Sequence, residues 1–407
     1  MKMHASQSVP LQSQSHPHFT DLKNALTEHS KIAILGAGLL GRMLAVLLSK
    51  PELNTQVHLF DKDTEQGTQS AAYLAAAMLA PIAESAEASA DIMHMGENAL
   101  KLWPEFLAQL EEPVFFQQTG TIVLAHESDK SYLFDFKRRL KKQENACVQT
   151  LNAHQLEQLE PAFEKQCKGF SENLFLPTEG QLDNRQLLKS MASTLKKRQL
   201  DWQTATTVDF SQHPEGLKQL KEEFDWVIDC RGLGAKEVIP ASQELRGVRG
   251  EVIRVRAPDV NITRPVRLMH PRYPIYIAPK EQHIFVIGAT QIESQDQRQP
   301  TVRSALELLS SCFSVHPGFA EAEVLEMRAG LRPAFIDNEP KIFKDNNFIS
   351  INGLYRHGYL LAPSLAEQCL KILKSASSQA TLTTNQDVNH TAKHKAKPSV
   401  NEVATYG

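Results

Sequence analysis

Short apolar runs and amphipathic stretches follow one another along this chain in an order that predicts a nucleotide-binding sheet. Residues 31–35, KIAIL, form an apolar run of strand length, and LLGRMLAVLLSK after the next turn keeps its apolar residues on a helical period. QVHLF at 56–60 is a second short run and ends on Asp61. Strand, helix and strand at this spacing predict a parallel pair joined by a right-handed crossover. Further on, 84–110 carries helical spacing, TGTIVLAH (119–126) reads as a strand, and 130–160 reads as charged and helical. GEVIRVRAP (250–258), YPIYIAPK (273–280) and HIFVIGATQ (283–291) predict consecutive antiparallel strands. TVRSALELLSSCF (301–313) predicts an amphipathic helix, and FISINGLYRHGYLLAPSLAEQCLKILK a strand, a glycine-bearing turn and a closing helix. No internal repeat is visible.

The fold class that follows is α/β, α+β overall. A Rossmann-like dinucleotide-binding domain is interleaved with a substrate domain built on a mixed or antiparallel β-sheet. The binding domain is expected to be discontinuous, taking 30–110, 170–245 and 325–374. The second domain takes 111–169 and 246–324. Residues 1–29 are polar and rich in Ser, Gln and His, and are expected to form a flexible extension. Residues 375–407 are polar and poor in aromatics, so burial cannot offset their ordering entropy and a disordered tail is expected.

Composition narrows the function classes. The 407 residues are 42% hydrophobic and 22% charged, as in an ordinary globular protein. A net charge of −3 gives no electrostatic reason to expect nucleic acid or a membrane surface as partner. The sequence shows no apolar run of membrane-spanning length and no secretory signal, so the cytoplasm is the expected location. Cys147, Cys167, Cys230, Cys312 and Cys369 are scattered without a CxxC pair and read as reduced thiols. No histidine set or HExxH points to a metal.

Gly36-Ala37-Gly38-Leu39-Leu40-Gly41 is a GxGxxG placed between a strand and a helix. The first glycine makes the turn and the second lets backbone approach a pyrophosphate. The third, Gly41, allows close helix–strand packing. Asp61 ends the second strand 20 residues after Gly41, where a carboxylate can hold ribose hydroxyls. A dinucleotide site follows, with FAD and NAD both open on these residues. The small-residue run GTQSAAYLAAAMLAP (67–81) and the glycines ending DWVIDCRGLGA (225–235) suit a chain passing close to a flat ring, which favours FAD.

ILGAGLLG, AAAML, RLMHPRYPIYIAPK, VIGATQIES, GLRPAFIDNEP and NGLYRHGYLLAP, in this order, resemble the D-amino-acid-oxidase-like FAD-dependent flavoenzymes. Within them they are most similar to the thiamine-pathway glycine oxidases, over most of 31–372. The resemblance implies FAD at Leu39 and Leu40, with Asp61 and Lys62 on the ribose. Ala71, Ala72, Ala76, Ala77 and Met78 would lie near flavin and pyrophosphate, and Val208 near the adenine. The turn Leu354, Tyr355, Arg356, His357, Gly358, Tyr359 and Leu360 would close over the ring edge. Ala77 stands where some relatives carry glycine, which is tolerable if its backbone angle is ordinary.

The resemblance also implies a substrate site, and that the second domain, 111–169 and 246–324, serves substrate binding and oligomerisation. Arg332 would pair with an amino-acid carboxylate, where a planar guanidinium makes two parallel hydrogen bonds. Tyr276 would add a further bond, Arg356 would lie on the same side, and Gln291 and Pro274 would form pocket wall. The implied chemistry is oxidative deamination of glycine, and of sarcosine or small D-amino acids. Hydride passes from Cα to flavin N5, with no protein acid or base required and no metal. Oxygen becomes hydrogen peroxide, and the imine goes to a thiazole synthase; the resemblance suggests a homo-oligomer. Three alternatives remain: a D-amino-acid dehydrogenase feeding a quinone, a tRNA-modifying oxidase, and a flavoprotein serving only as a binding module.

Overall fold

The computed structural model describes residues 7–9, 29–142, 144, 146–164, 169–272 and 274–393. Two large sheets carry the architecture, and a third has three strands, in the order Met78–Leu79, Gly180–Leu182 and Phe116–Gln117. The first large sheet runs Gln7–Val9, Lys341–Asp345, Phe348–Asn352, Trp226–Asp229, Lys31–Leu35, Gln56–Phe60 and Asp201–Gln203. Its last five strands are parallel, with Leu35 beside Phe60 and Asp229. Central parallel strands are covered on both faces, which explains why KIAIL and WVID are apolar without alternation. The helix Leu39–Leu48 is buried over its whole length. It packs against the helices Asn184–Lys197 and Gly358–Lys393, and the latter also packs on Ala90–Leu107. Ile32, Ile34, Met43, Leu44, Leu47, Trp103 and Leu361 fill the space between them, all fully buried. Each such side chain contributes roughly 1.5–3 kcal/mol by leaving water.

The second sheet runs Glu323–Phe335, Leu245–Arg256, Ile284–Gly288, Ile275–Pro279, Val266–Leu268, Thr121–Leu124, Glu172–Leu176 and Gln149–Asn152. All its pairs are antiparallel except Val266–Leu268 with Thr121–Leu124. Its backbone is the long ribbon in which Leu245 faces Phe335 and Arg256 faces Glu323.

Local readings of the sequence and the structure differ in a few places. Ile284–Gly288 slots between Leu245–Arg256 and Ile275–Pro279, so chain order is not sheet order. Val266–Leu268 was too short to stand out. Gln149–Asn152 is a strand inside the stretch expected to be helical, and its Asn152 makes a capping box with Gln155 for the helix Ala153–Leu159. Glu172–Leu176, beyond the expected division at residue 170, sits in the second sheet. Gln7–Val9, inside the expected extension, pairs with Ile342–Lys344. The closing helix continues past residue 374 to Lys393, and residues 394–407 of the expected tail lie outside the described residues. Cys147, Cys230, Cys312 and Cys369 are free thiols, whereas Cys167 lies outside the described residues.

The glycine turn separates packing from access. A Cβ on Gly41 would land on the carbonyl oxygen of Gly36, and one on Gly36, which has φ +92°, would come within 2.8 Å of Arg231 Cα. One on Gly38 would meet nothing within 4 Å. Gly41→Ala is therefore expected to cost the ligand-free protein about 3 kcal/mol, and Gly38→Ala less than about 0.5 kcal/mol. Urea unfolding of both variants checks this, and equal losses would refute the distinction.

Candidate functional site

The helices Leu39–Leu48 and Gly358–Lys393 pack on each other. No side chain caps the first, and Gly38 and Gly358 both face open space. Helix N-termini with bare backbone N–H groups attract anions, so this end has the donor set a pyrophosphate needs. Asp61 closes the turn beside it: one carboxylate oxygen accepts from the Ala37 N–H and the other from the Asp63 N–H at 2.6 Å. Lys62 is exposed. Val208 is half-buried, and its carbonyl accepts from Arg231 Nη1 at 2.6 Å.

Small residues lead from the glycine turn to the second sheet. Ser70 caps the short helix Ala71–Leu74, and the Ala72 carbonyl accepts from Tyr359 Oη at 3.0 Å and Asn184 Nδ2 at 3.1 Å. Ala76, Ala77 and Met78 follow. Ala77 has φ +53°, so the condition of an ordinary backbone angle is not met. A left-handed alanine costs about 1–2 kcal/mol, and surrounding bonds hold it there. The Ala77 carbonyl accepts from Leu182 N at 3.1 Å. Lys280, fully enclosed, donates from Nζ to Ala76 O at 2.8 Å, Leu182 O at 2.7 Å and Gln181 Oε1 at 3.0 Å. Burial pushes its pKa down to about 7. A cofactor with a phosphate end and a flat ring fits this run of helix termini, ribose-side carboxylate and closely packed alanines.

Arg332 lies on the long ribbon, where it donates to Thr290 O at 3.2 Å and Arg249 O at 3.3 Å. Gly250 makes room for it, because a Cβ there would collide with the guanidinium. Among the described residues no carboxylate lies within ion-pair distance of Arg332, and burial lowers its pKa. Tyr276 faces Gly288 across the sheet; a Cβ on Gly288 would reach its Oη at 2.7 Å. Burial raises the Tyr276 pKa, so the phenol stays protonated at neutral pH.

Arg356 is brought to the same place but is already occupied. Its Nη1 donates to Glu87 Oε2 at 2.7 Å and Gln291 Oε1 at 3.0 Å, and Nη2 lies 3.3 Å from Glu84 Oε2. Glu84 also accepts from Arg267 Nη2 at 2.6 Å and lies 3.4 Å from His357 Nδ1. Burial alone would raise the Glu84 pKa; Arg356 and Arg267 outweigh it and hold the carboxyl well below its usual range. His357 is pushed down to about 4, chiefly by burial, and is neutral at pH 7. Glu179 lies behind this knot. Its Oε1 accepts from Ala83 N at 2.6 Å, Oε2 has no hydrogen-bond partner among the described residues, and burial raises its pKa to about 7.

Sequence reasoning missed Glu84, Glu87, Arg267, Lys280 and Glu179, and it also missed Arg42. The Arg42 guanidinium is buried under the glycine turn and donates to Ala37 O at 2.8 Å and Leu188 O at 3.0 Å. No group of three His, Cys, Asp or Glu side chains among the described residues converges as a metal site. No helix among them is long and apolar enough to cross a membrane.

The family model described as DAO, FAD dependent oxidoreductase, matches residues 31–370. A Rhizobium etli protein named for the thiamine biosynthesis oxidoreductase ThiO is 34% identical over 349 residues, covering 86% of this chain and 98% of that one. A bifunctional ThiO/ThiG protein of Trichormus variabilis is 24% identical; the alignment covers 82% of this chain and 51% of that one, about half its length. The crystal structure of glycine oxidase from Geobacillus kaustophilus superposes with a TM-score of 0.71 at 22% identity, covering 86% of this chain and 95% of that one.

Glu179 generates a pH prediction. The folded state holds its proton up to about pH 7, whereas the ordinary carboxyl value is 4.5. Between these values the native state binds more protons than the unfolded one, so stability falls as pH rises. The contribution is fully present below pH 4.5 and lost through pH 7. Glu179→Gln is expected to flatten this slope and to exceed the parent by about 1–3 kcal/mol above pH 7. Urea unfolding at pH 5 and pH 8.5 measures it; an unchanged slope would sink the assignment.

Proposed function

The chain belongs to the DAO family of FAD-dependent oxidoreductases, and from that premise we propose that it oxidises glycine to its imine. Sarcosine and small D-amino acids are related substrates in this reading, hydrogen peroxide is the reduced product, and the imine serves thiazole formation in thiamine biosynthesis. The observation that carries the reading is Arg332: a half-buried guanidinium beside a neutral tyrosine, with no carboxylate of its own among the described residues. The relative that joins ThiO and ThiG in one chain supports use of the product by a partner.

FAD, when bound, supplies the acceptor that takes hydride from the substrate Cα and returns the electron pair to oxygen. Gly36, Gly38, Leu39, Leu40 and Gly41 would hold its pyrophosphate, with Asp61 and Lys62 at the ribose and Val208 towards the adenine. Ala71, Ala72, Ala76, Ala77 and Met78 would line the ring side, and Leu354–Leu360 its edge. Arg332 and Tyr276 would grip the substrate carboxylate, so that Cα is oriented before reaction; this positioning is the protein's main contribution. No side chain is asked to remove the Cα hydrogen as a proton.

Arg332→Ala is expected to raise the apparent KM for glycine by about 100-fold or more, the loss of a charge-assisted fork, with FAD retained. Visible spectra and oxygen uptake measure both; loss of FAD without a substrate effect would count against the role. Glycine added anaerobically should bleach the flavin, and air should restore it with peroxide. A flavin that no amine bleaches would end the amine-oxidase reading.

A further inference from the structure

Three arginines and two glutamates meet at the substrate end, and they are not equivalent. Glu84 is buried and already receives Arg267 at 2.6 Å, so its share for Arg356 is the longer 3.3 Å contact. The close counter-ion of Arg356 is Glu87, at 2.7 Å. Arg332 and Arg356 reach one short stretch of chain, Arg332 donating to the Thr290 carbonyl and Arg356 to the Gln291 side chain. Glu87 itself is 41% exposed and lines an outer cleft of about 250 Å³ with Arg138, Arg139, His270 and Pro274. It therefore stands on the solvent side of Arg356.

We propose that Glu87 is a specificity-determining residue: by occupying Arg356 it restricts the pocket to amines carrying one carboxylate and excludes those carrying two. This rests on the amine-oxidase reading above. With Glu84 and Glu87 ionised, three guanidinium charges face two carboxylates, and one positive charge is left for one substrate carboxylate. His357 is neutral and adds nothing. Glu179 carries its proton below pH 7 and adds nothing there either. A substrate such as glycine docks on Arg332 and leaves the Arg356–Glu87 pair intact. A dicarboxylic amine, such as iminodiacetate or D-aspartate, brings a second anion that must compete with Glu87 for Arg356. If it wins, Glu87 is left beside it as an unpaired like charge, and rejection by repulsion is how such pockets discriminate. Removing that negative charge while keeping the side-chain shape leaves two positive charges for two carboxylates.

The test compares the FAD-loaded parent, Glu87→Gln and Glu87→Asp at pH 6.5. The non-oxidised ligands glycolate and malonate are titrated against the flavin absorbance, and oxygen uptake is followed with glycine and iminodiacetate. Glu87→Gln is expected to shift the malonate-to-glycolate affinity ratio towards malonate by about fivefold to tenfold, one partly screened charge pair. The iminodiacetate-to-glycine kcat/KM ratio should move the same way, whereas Glu87→Asp, which keeps the charge, should retain the parent's preference. If Glu87→Gln does not take up FAD, Glu87→Ala carries the same expectation. Glycine oxidation with ratios unchanged within twofold would overturn the role of Glu87 and leave the amine-oxidase reading standing. A parent whose flavin no amine bleaches would overturn that reading, and this one with it.

Discussion

One largely buried carboxylate holds the proposed substrate end together. Glu84 ends a short helix on the chain that leads away from the glycine turn. It is met by Arg267 from the second sheet and by Arg356 and His357 from the turn before the closing helix. Three segments distant in sequence thus converge on one charge. Removing one partner of such a pair leaves the others as uncompensated buried charges, at about 3–5 kcal/mol. The constraint also sets the electrostatics: because Glu84 and Glu87 are committed to Arg267 and Arg356, Arg332 is the arginine of this knot without a carboxylate.

What the sequence made legible is local. GxGxxG, the helix after it and Asp61 lie within about thirty residues, and their spacing encodes their geometry. The knot around Glu84 is not legible in that way. Glu84 and Arg267 are separated by 183 positions, and no periodicity marks either of them. The same holds for Gly250, whose missing side chain seats Arg332 from the neighbouring strand. Arg332, Tyr276, Arg356 and Gln291 were named through family resemblance, and the structure adds that two of these, Arg356 and Gln291, already bond to each other. Sheet order was lost for a related reason: Ile284–Gly288 and Ile275–Pro279 both look like good strands, and nothing local says which lies next to Leu245–Arg256.

The alanine segment shows why polar bonds take over where side chains are small. Ala76 and Ala77 have little apolar surface with which to fix a backbone, and Ala77 sits at an unfavourable positive φ. Lys280 supplies what packing cannot. Its three donors meet three acceptors, two of them backbone carbonyls on either side of the junction between the alanine run and the strand Gly180–Leu182. A fully satisfied buried ammonium is costly to desolvate but sharply directional, and such directionality specifies one arrangement of backbone where methyl groups would accept several.

The two ends of the site are therefore stabilised by different physics, and this bears on how each can vary. The proposed cofactor end depends on the absence of side chains, at Gly36, Gly38, Gly41 and Gly358, and on backbone dipoles. Such features tolerate little substitution near Gly36 and Gly41, where any Cβ meets backbone. The proposed substrate end depends on charges whose partners can be exchanged one residue at a time. Glu87 is the most exposed member of that set, and it is bonded to an arginine rather than to backbone. On the proposed reading, a change there alters the charge offered to a substrate without disturbing the glycine turn, so the reaction type stays fixed while the acidic groups accepted are retuned.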